Sequence, residues 1–268
     1  MSVLLQEVEP QPHDDLTLEQ FQLMWGDKSG LTIEQQELVW SDVQEWYIDL
    51  PYHNFDHALE TLWESMRLAD LCEANGVPVN RKALVVGALF HDAGYFRDHE
   101  EQGFDTKEDY SAFLIAAFAN RYEMDSDDLF TAQNAIVATT RGSKVYSVED
   151  KILRRADLIN ISGRYTEDFL LKTRLFHKET EQLTGKSISV WDFATEAIKI
   201  LSDYLDDDLS LGDFDNNSER MSVFQFQAVQ NLKCLAREIA IETGQRIGDI
   251  AKKLGSRAVA LLSLDRLN

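Results

Sequence analysis

Apolar residues recur at three- and four-residue spacing in segment after segment of this chain, the period of a helix that buries one face. Thr17-Leu-Glu-Gln20 and Thr32-Ile-Glu-Gln35 both have capping-box form, in which the threonine hydroxyl accepts from an early backbone N–H and the glutamine reaches back. Helices are therefore expected to start near 18 and 33. The second should run through Leu38, Val39, Val43, Trp46 and Tyr47 and break near Leu50, because the residue ahead of Pro51 avoids helical geometry. Further helices are expected at about 54–74, 80–92, 107–122, 127–139, 148–162, 165–183, 187–205, 221–243 and 246–264, with turn residues such as Asn75-Gly76 and Arg141-Gly142-Ser143 between them. No alternating strand pattern competes, and all four prolines precede residue 79. The fold class expected is all-α. It comprises an N-terminal helical extension over 1–40, a main helical domain over 41–205, and an acidic surface linker with a C-terminal helical hairpin over 206–268.

With 268 residues and 44% hydrophobic content, the chain is long enough for one substantial core and an appended subdomain. No stretch reaches the roughly 20 uninterrupted apolar residues of a membrane span. The opening Met1–Asp15 has no basic region followed by an apolar run, so a cytoplasmic location and no membrane partner are expected. Cys72 and Cys234 both sit in apolar helical patterns, which reads as two reduced core thiols. The formal net charge of -21 repels phosphate backbones and argues against a nucleic-acid polymer as partner. A small phosphorylated substrate is still compatible, since a local cluster of cations can hold one phosphate. The Trp-rich N-terminal extension could supply a homodimer surface.

The chemistry concentrates in four side chains. Ala83–Phe90 is an almost wholly apolar helix that leads directly into His91-Asp92, and charged groups at the end of such a helix need compensation. A cation would serve both. Asp157 lies beside Ile152, Leu153, Ala156 and Ile159 in the same kind of setting, with Arg154 or Arg155 as salt-bridge partners if it serves no metal. His57 stands four residues after His53, about 40° apart around a helix axis, so both can face one cavity. Two imidazoles and two carboxylates make a mixed donor set for one divalent ion, with Mn, Fe, Co, Ni, Zn and Mg not distinguishable.

The ordered set His57, His91-Asp92 and Asp157 resembles the signature of the HD superfamily of metal-dependent phosphohydrolases over roughly residues 40–205. More narrowly, Pro51-Tyr-His-Asn-Phe-Asp-His57, Leu89-Phe-His-Asp-Ala-Gly-Tyr95, Glu108-Asp-Tyr-Ser-Ala112 and Ile136-Val-Ala-Thr139 resemble a branch of HD phosphohydrolases. The resemblance implies an HD-type helical bundle that brings His57, His91, Asp92 and Asp157 onto one metal, with a metal-activated water cleaving a small phosphoester, such as a nucleotide. Resemblance to cyclic-nucleotide phosphodiesterases makes His53 the acid for the leaving group, with Asp92 as its catalytic companion. The competing role for His53 is to orient His57. Arg141 and Lys144, on the loop after the 127–139 helix, are the expected phosphate-binding residues, and Arg155 and Arg164 the alternatives. Dinuclear members of the superfamily place two more histidines between the doublet and the last aspartate, whereas residues 93–156 hold only His99, so one ion is expected. Tyr95 stands where some superfamily nucleotidases carry an acidic residue. A non-catalytic sensor or scaffold that retains its metal is the alternative function, and a di-iron oxygenase a weaker one. His13 and His177 are expected to be structural or solvent-facing.

Overall fold

The computed structural model describes residues 16–163, 166–216 and 221–262. His13 and Arg164 fall outside them. Helices α1 (Leu18–Trp25) and α2 (Ile33–Gln44) start with the two capping boxes, both reciprocal bonds being present at Thr17 and at Thr32. The chain then forms α3 (Phe55–Ala74), α4 (Arg81–Phe90), α5 (Lys107–Phe118), α6 (Ser126–Thr139) and α7 (Val148–Asp157). After these come α8 (Ile159–Ser162), α9 (Thr166–Thr184), α10 (Val190–Asp203), α11 (Val223–Thr243), α12 (Ile247–Lys253) and α13 (Ser256–Leu262). Among the described residues the only β-type pairing is the single bridge between Asn216 and Ser222, so the fold is all-α. No described helix is long and apolar enough to cross a membrane.

Four differences from the expected elements have local causes. Helix α2 ends at Gln44 rather than near Leu50, because the N–H groups of Trp46 and Tyr47 turn back to the carbonyls of Val43 and Gln44. That early end frees Tyr47 to donate from its hydroxyl to the carbonyl of Leu89 at 2.9 Å. The expected 148–162 helix is broken at Leu158, whose φ of -87° and ψ of 14° end α7 at Asp157. The last helix is likewise divided, at Leu254, which is extended with ψ 150°. Residues 206–216 are not a simple surface linker. Leu209, Leu211 and Asp215 are buried, and Arg155 reaches the Asp215 carboxylate at 2.5 Å.

Buried apolar side chains form two clusters. The first draws on α1 through α7, with Phe21, Val39, Leu62, Met66, Leu84, Leu89, Phe90, Ile115, Ile136 and Leu153 among its members. Phe90, Phe118 and Tyr122 pack ring to ring within it, and Tyr122 donates to Asp42 at 3.0 Å, fixing α2 against the turn that follows α5. The second draws on α8 through α13, with Ile161, Phe169, Ile198, Leu232, Leu235 and Ile250. The chain crosses from one to the other at Asp157-Leu158, since Ile152 and Leu153 pack in the first and Leu158 and Ile161 in the second, and it returns to the first at Leu211. Cys72 is buried, Cys234 is half-buried, and both thiols are free. Burial pushes the Cys72 thiol up to about 11.

Candidate metal centre

Each of the four metal-ligand candidates sits where a helix begins or ends, inside the first cluster's wall. His57 lies in the first turn of α3, whose start is fixed by the Asn54 side chain accepting from the His57 N–H at 3.1 Å. His91 caps the C-terminus of α4, and Asp92 follows in the turn beyond it, so the doublet stands at a helix end and not within a helix. Asp157 is the last residue of α7. Helices α3, α4 and α7 pack on one another, which carries these termini to one place.

One ligand atom from each of His57, His91, Asp92 and Asp157 lies within 4.8 Å of the others. His57 Nε2 is 3.2 Å from Asp157 Oδ1 and 3.7 Å from Asp92 Oδ2, while His91 Nε2 is 3.2 Å from Asp92 Oδ2 and 3.4 Å from Asp157 Oδ1. His91 Nδ1 lies 2.8 Å from the carbonyl of Ala88, which can only accept, so a neutral His91 carries its proton on Nδ1 and is able to present the Nε2 lone pair to a metal. The two Nε2 atoms are 3.4 Å apart. Asp92 Oδ2 is buried and makes no hydrogen bond. Two imidazole nitrogens and an unbonded carboxylate oxygen converging out of contact with water are costly to leave uncompensated. A divalent ion is the group that this donor set fits.

The charges of the cluster hold one another. Burial opposes a charged His91, yet Asp92 and Asp157 beside it push its pKa up to about 10. Burial would raise both carboxyls, but Lys107 and His91 hold Asp92 well below the usual carboxylate range, and hydrogen bonds from His57 and His91 do the same for Asp157. A metal ion would take the place of the proton that His91 holds here against the two carboxylates.

His53 stands at the edge of this group. Its Nε2 is 4.0 Å from Asp92 Oδ2, and its Nδ1 is 2.5 Å from Glu179 Oε1. Glu179 comes from α9 and is fully buried, and its other oxygen accepts the N–H groups of Tyr52 and His53 at 2.8 Å each. Three donors to one carboxylate fix the 52–53 backbone and the ring together. Burial would raise the Glu179 carboxyl, but the bonds from His53 and the two amides hold it below its ordinary value. Burial lowers the His53 pKa, and the Glu179 carboxylate offsets part of that effect. The Tyr95 ring stacks on the His53 imidazole at 4.0 Å between centroids, and Phe176 of α9 closes edge-on from 5.3 Å. Tyr52 lies over His57 at 4.9 Å and accepts at its hydroxyl from Asn160 at 2.6 Å.

None of the other expected site residues belongs to the four-residue ligand cluster. Arg141 is half-exposed and paired with Asp203 of α10, and Lys144 is exposed on the same loop. Arg155 is taken by Asp215, and Arg154 donates to the carbonyls of Ser143 and Thr140. His99 is half-buried in the loop after the doublet, apart from the ligand cluster. His177 is structural, its Nε2 lying 2.7 Å from the carbonyl of Ile188.

Two residues of the centre were not read from the sequence. Glu179 gave no signal, because it stands in a helix otherwise rich in exposed charge. Lys107 gave one that went unused: it is the first residue of α5, where the positive end of the helix disfavours a cation, so a lysine there implies an anion nearby. That anion is Asp92, whose Oδ1 accepts from the Lys107 ammonium at 2.6 Å.

A comparison with curated proteins finds none that matches the chain. The family model of the HD domain matches residues 54–160, a stretch that begins one residue after His53 and includes all four ligand candidates. With that match on the same residues that converge in space, the chain carries an HD domain.

Proposed function

We propose that this protein is a phosphohydrolase that uses one divalent metal ion and water to cleave a small phosphoester, a nucleotide or related metabolite. The observation that carries this reading is the convergence of two histidines and two aspartates with a third histidine held beside them by a buried glutamate. His57, His91, Asp92 and Asp157 would hold the ion. When bound, such an ion lowers the pKa of water and neutralises charge on a phosphoryl oxygen. Mixed imidazole and carboxylate donors suit Mn, Fe, Co, Ni or Zn.

The remaining chemistry belongs to the chain. Glu179 is acceptor-only when ionised, so His53 keeps a proton on Nδ1 and presents Nε2 toward Asp92. Protonated at Nε2 as well, the ring can give that proton to a departing alkoxide, as a general acid whose ordinary pKa lies near neutrality. Tyr95 and Phe176 restrict the ring from both sides, so it need not reorient for the transfer.

Metal-replete protein assayed against a panel of nucleotides and phosphomonoesters tests the proposal. Phosphate release that needs added metal and falls to background in Asp92→Ala is the expected result. Inactivity of the metal-loaded wild type across the panel overturns it and favours a metal-retaining sensor.

A further inference from the structure

Asp92 uses its two oxygens for different purposes. Oδ2 faces the Nε2 atoms of His57, His91 and His53 at 3.7, 3.2 and 4.0 Å, on the side where a metal would sit. Oδ1 points the other way and accepts from Lys107 at 2.6 Å. The same ammonium is 3.1 Å from Glu108 Oε1 and 4.9 Å from the centre of the Tyr95 ring. It thus lies among two carboxylates and a π face, a setting in which a cation is held firmly. Its position is fixed from the protein side as well. Gly94 follows the doublet with its N–H donating to Ser111 Oγ at 2.9 Å, and a Cβ at Gly94 would meet Tyr110 at 2.9 Å and the Lys107 carbonyl at 3.1 Å. The turn after the doublet and the start of α5 are therefore locked in contact.

A carboxylate that bridges two metal ions through both of its oxygens gives one oxygen to each. Here the second oxygen is already committed to an ammonium, and the group of potential ligands at this centre contains four residues suited to one ion. We propose that Lys107 is the second cation of the site: it closes Asp92 against a second metal ion and stands as a fixed positive charge for the phosphoryl group of the substrate. The Lys107 side chain is 28% exposed, so an anion arriving beside Tyr95 and His53 can reach it, and an ammonium has three N–H donors to share. The first half of the proposal concerns metal count alone. The second half rests on the hydrolase reading above.

Two equilibrium measurements test it without turnover. In the first, wild-type protein is dialysed against manganese(II) and its metal content measured; one ion per chain is expected, and two ions per chain would overturn the proposal. In the second, inorganic phosphate is titrated into the manganese-loaded protein. Lys107→Ala should weaken phosphate binding about tenfold or more, the usual consequence of losing a hydrogen bond to a charged partner. Lys107→Arg, which keeps the charge, should retain most of the affinity. Unchanged phosphate affinity in Lys107→Ala overturns the proposal, as does an equal loss in Lys107→Arg, which would mark a merely structural role. Lys107→Gln serves if the alanine variant does not fold. Failure of the hydrolase reading is a separate result: it would leave one ion per chain and Lys107-dependent phosphate binding with no phosphoester cleaved.

Discussion

The two halves of the molecule bring different chemistry to the same place. Helices α3 and α7 and the turn that ends α4 supply every metal-ligand candidate and are packed into the first cluster, so the ligand geometry is set within that half. Helices α8 and α9 supply Asn160, Phe176 and Glu179, which touch Tyr52 and His53 but none of the four ligands by hydrogen bond. The candidate metal ligands thus belong to one half, and the groups that hold His53 come from the docking of the other. The family match covers 54–160, which takes in all four ligand candidates and stops short of α9 and Glu179. The lesson is that the two functions should come apart under mutation.

Glu179→Gln is the sharpest way to break that comparison. The amide keeps the size of the side chain and removes its charge, so the His53 ring loses the partner that raises its pKa against the lowering effect of burial. Turnover should fall about a hundredfold, within the range for an impaired general acid, while manganese content stays at the wild-type level. The sign of the pH effect follows. With the carboxylate gone, the His53 pKa drops further below its ordinary value, so the acid form is lost at lower pH and the alkaline limb of the kcat profile moves toward acid. A variant that lost its metal along with its activity would show that the halves are not separable.

Asp215→Ala probes the comparison from the ligand half. Asp215 is buried, receives Arg155 at 2.5 Å and accepts the Leu211 N–H at 3.2 Å, which ties residues 206–216 onto the back of α7. Removing it leaves the Arg155 guanidinium buried without its carboxylate. The expected loss is about 3 kcal/mol of stability, read as a lower denaturant midpoint, since breaking one side of a buried pair costs more than the pair contributes. Because the Arg155 pair lies in the ligand half, the metal content of the folded fraction should also be lower. A variant as stable as the wild type would mean that this segment is the surface linker its composition suggests.

How far the site could be read beforehand depends on the kind of signal each residue leaves. The helices were legible because capping boxes and apolar periodicity are local, and the reciprocal bonds at Thr17 and Thr32 are those the spacing requires. His91-Asp92 was legible because an apolar helix delivering two charged groups is a contradiction that needs a cation to resolve it. Asp215 was misread for the converse reason: DDDLSLGDFDNNSE has the composition of an exposed turn, and only its contact with Arg155, 60 residues earlier, buries it. Glu179 is 126 residues from His53, so no spacing rule relates them. The split of α7 from α8 was equally hidden, because Leu158 is a good helix former and the break serves the passage from one core to the other.

The smallest effect expected is at Arg141, which was read from the sequence as a phosphate ligand on a loop of the first half and which the fold pairs with Asp203 of the second. Both side chains are about half in water, where an ion pair is screened and its attraction is largely offset by the cost of holding two long side chains in one arrangement. Arg141→Ala should therefore change stability by no more than about 0.5 kcal/mol. Its effect on KM is the informative quantity. If Lys107 carries the positive charge that meets the substrate, KM for a phosphoester should stay within about twofold of the wild type, well under the tenfold that loss of a charge-assisted bond produces. A rise of tenfold or more in KM at unchanged kcat would instead place the 141–144 loop against the substrate, and would move part of the anion-binding duty from the doublet's own lysine to the seam between the halves.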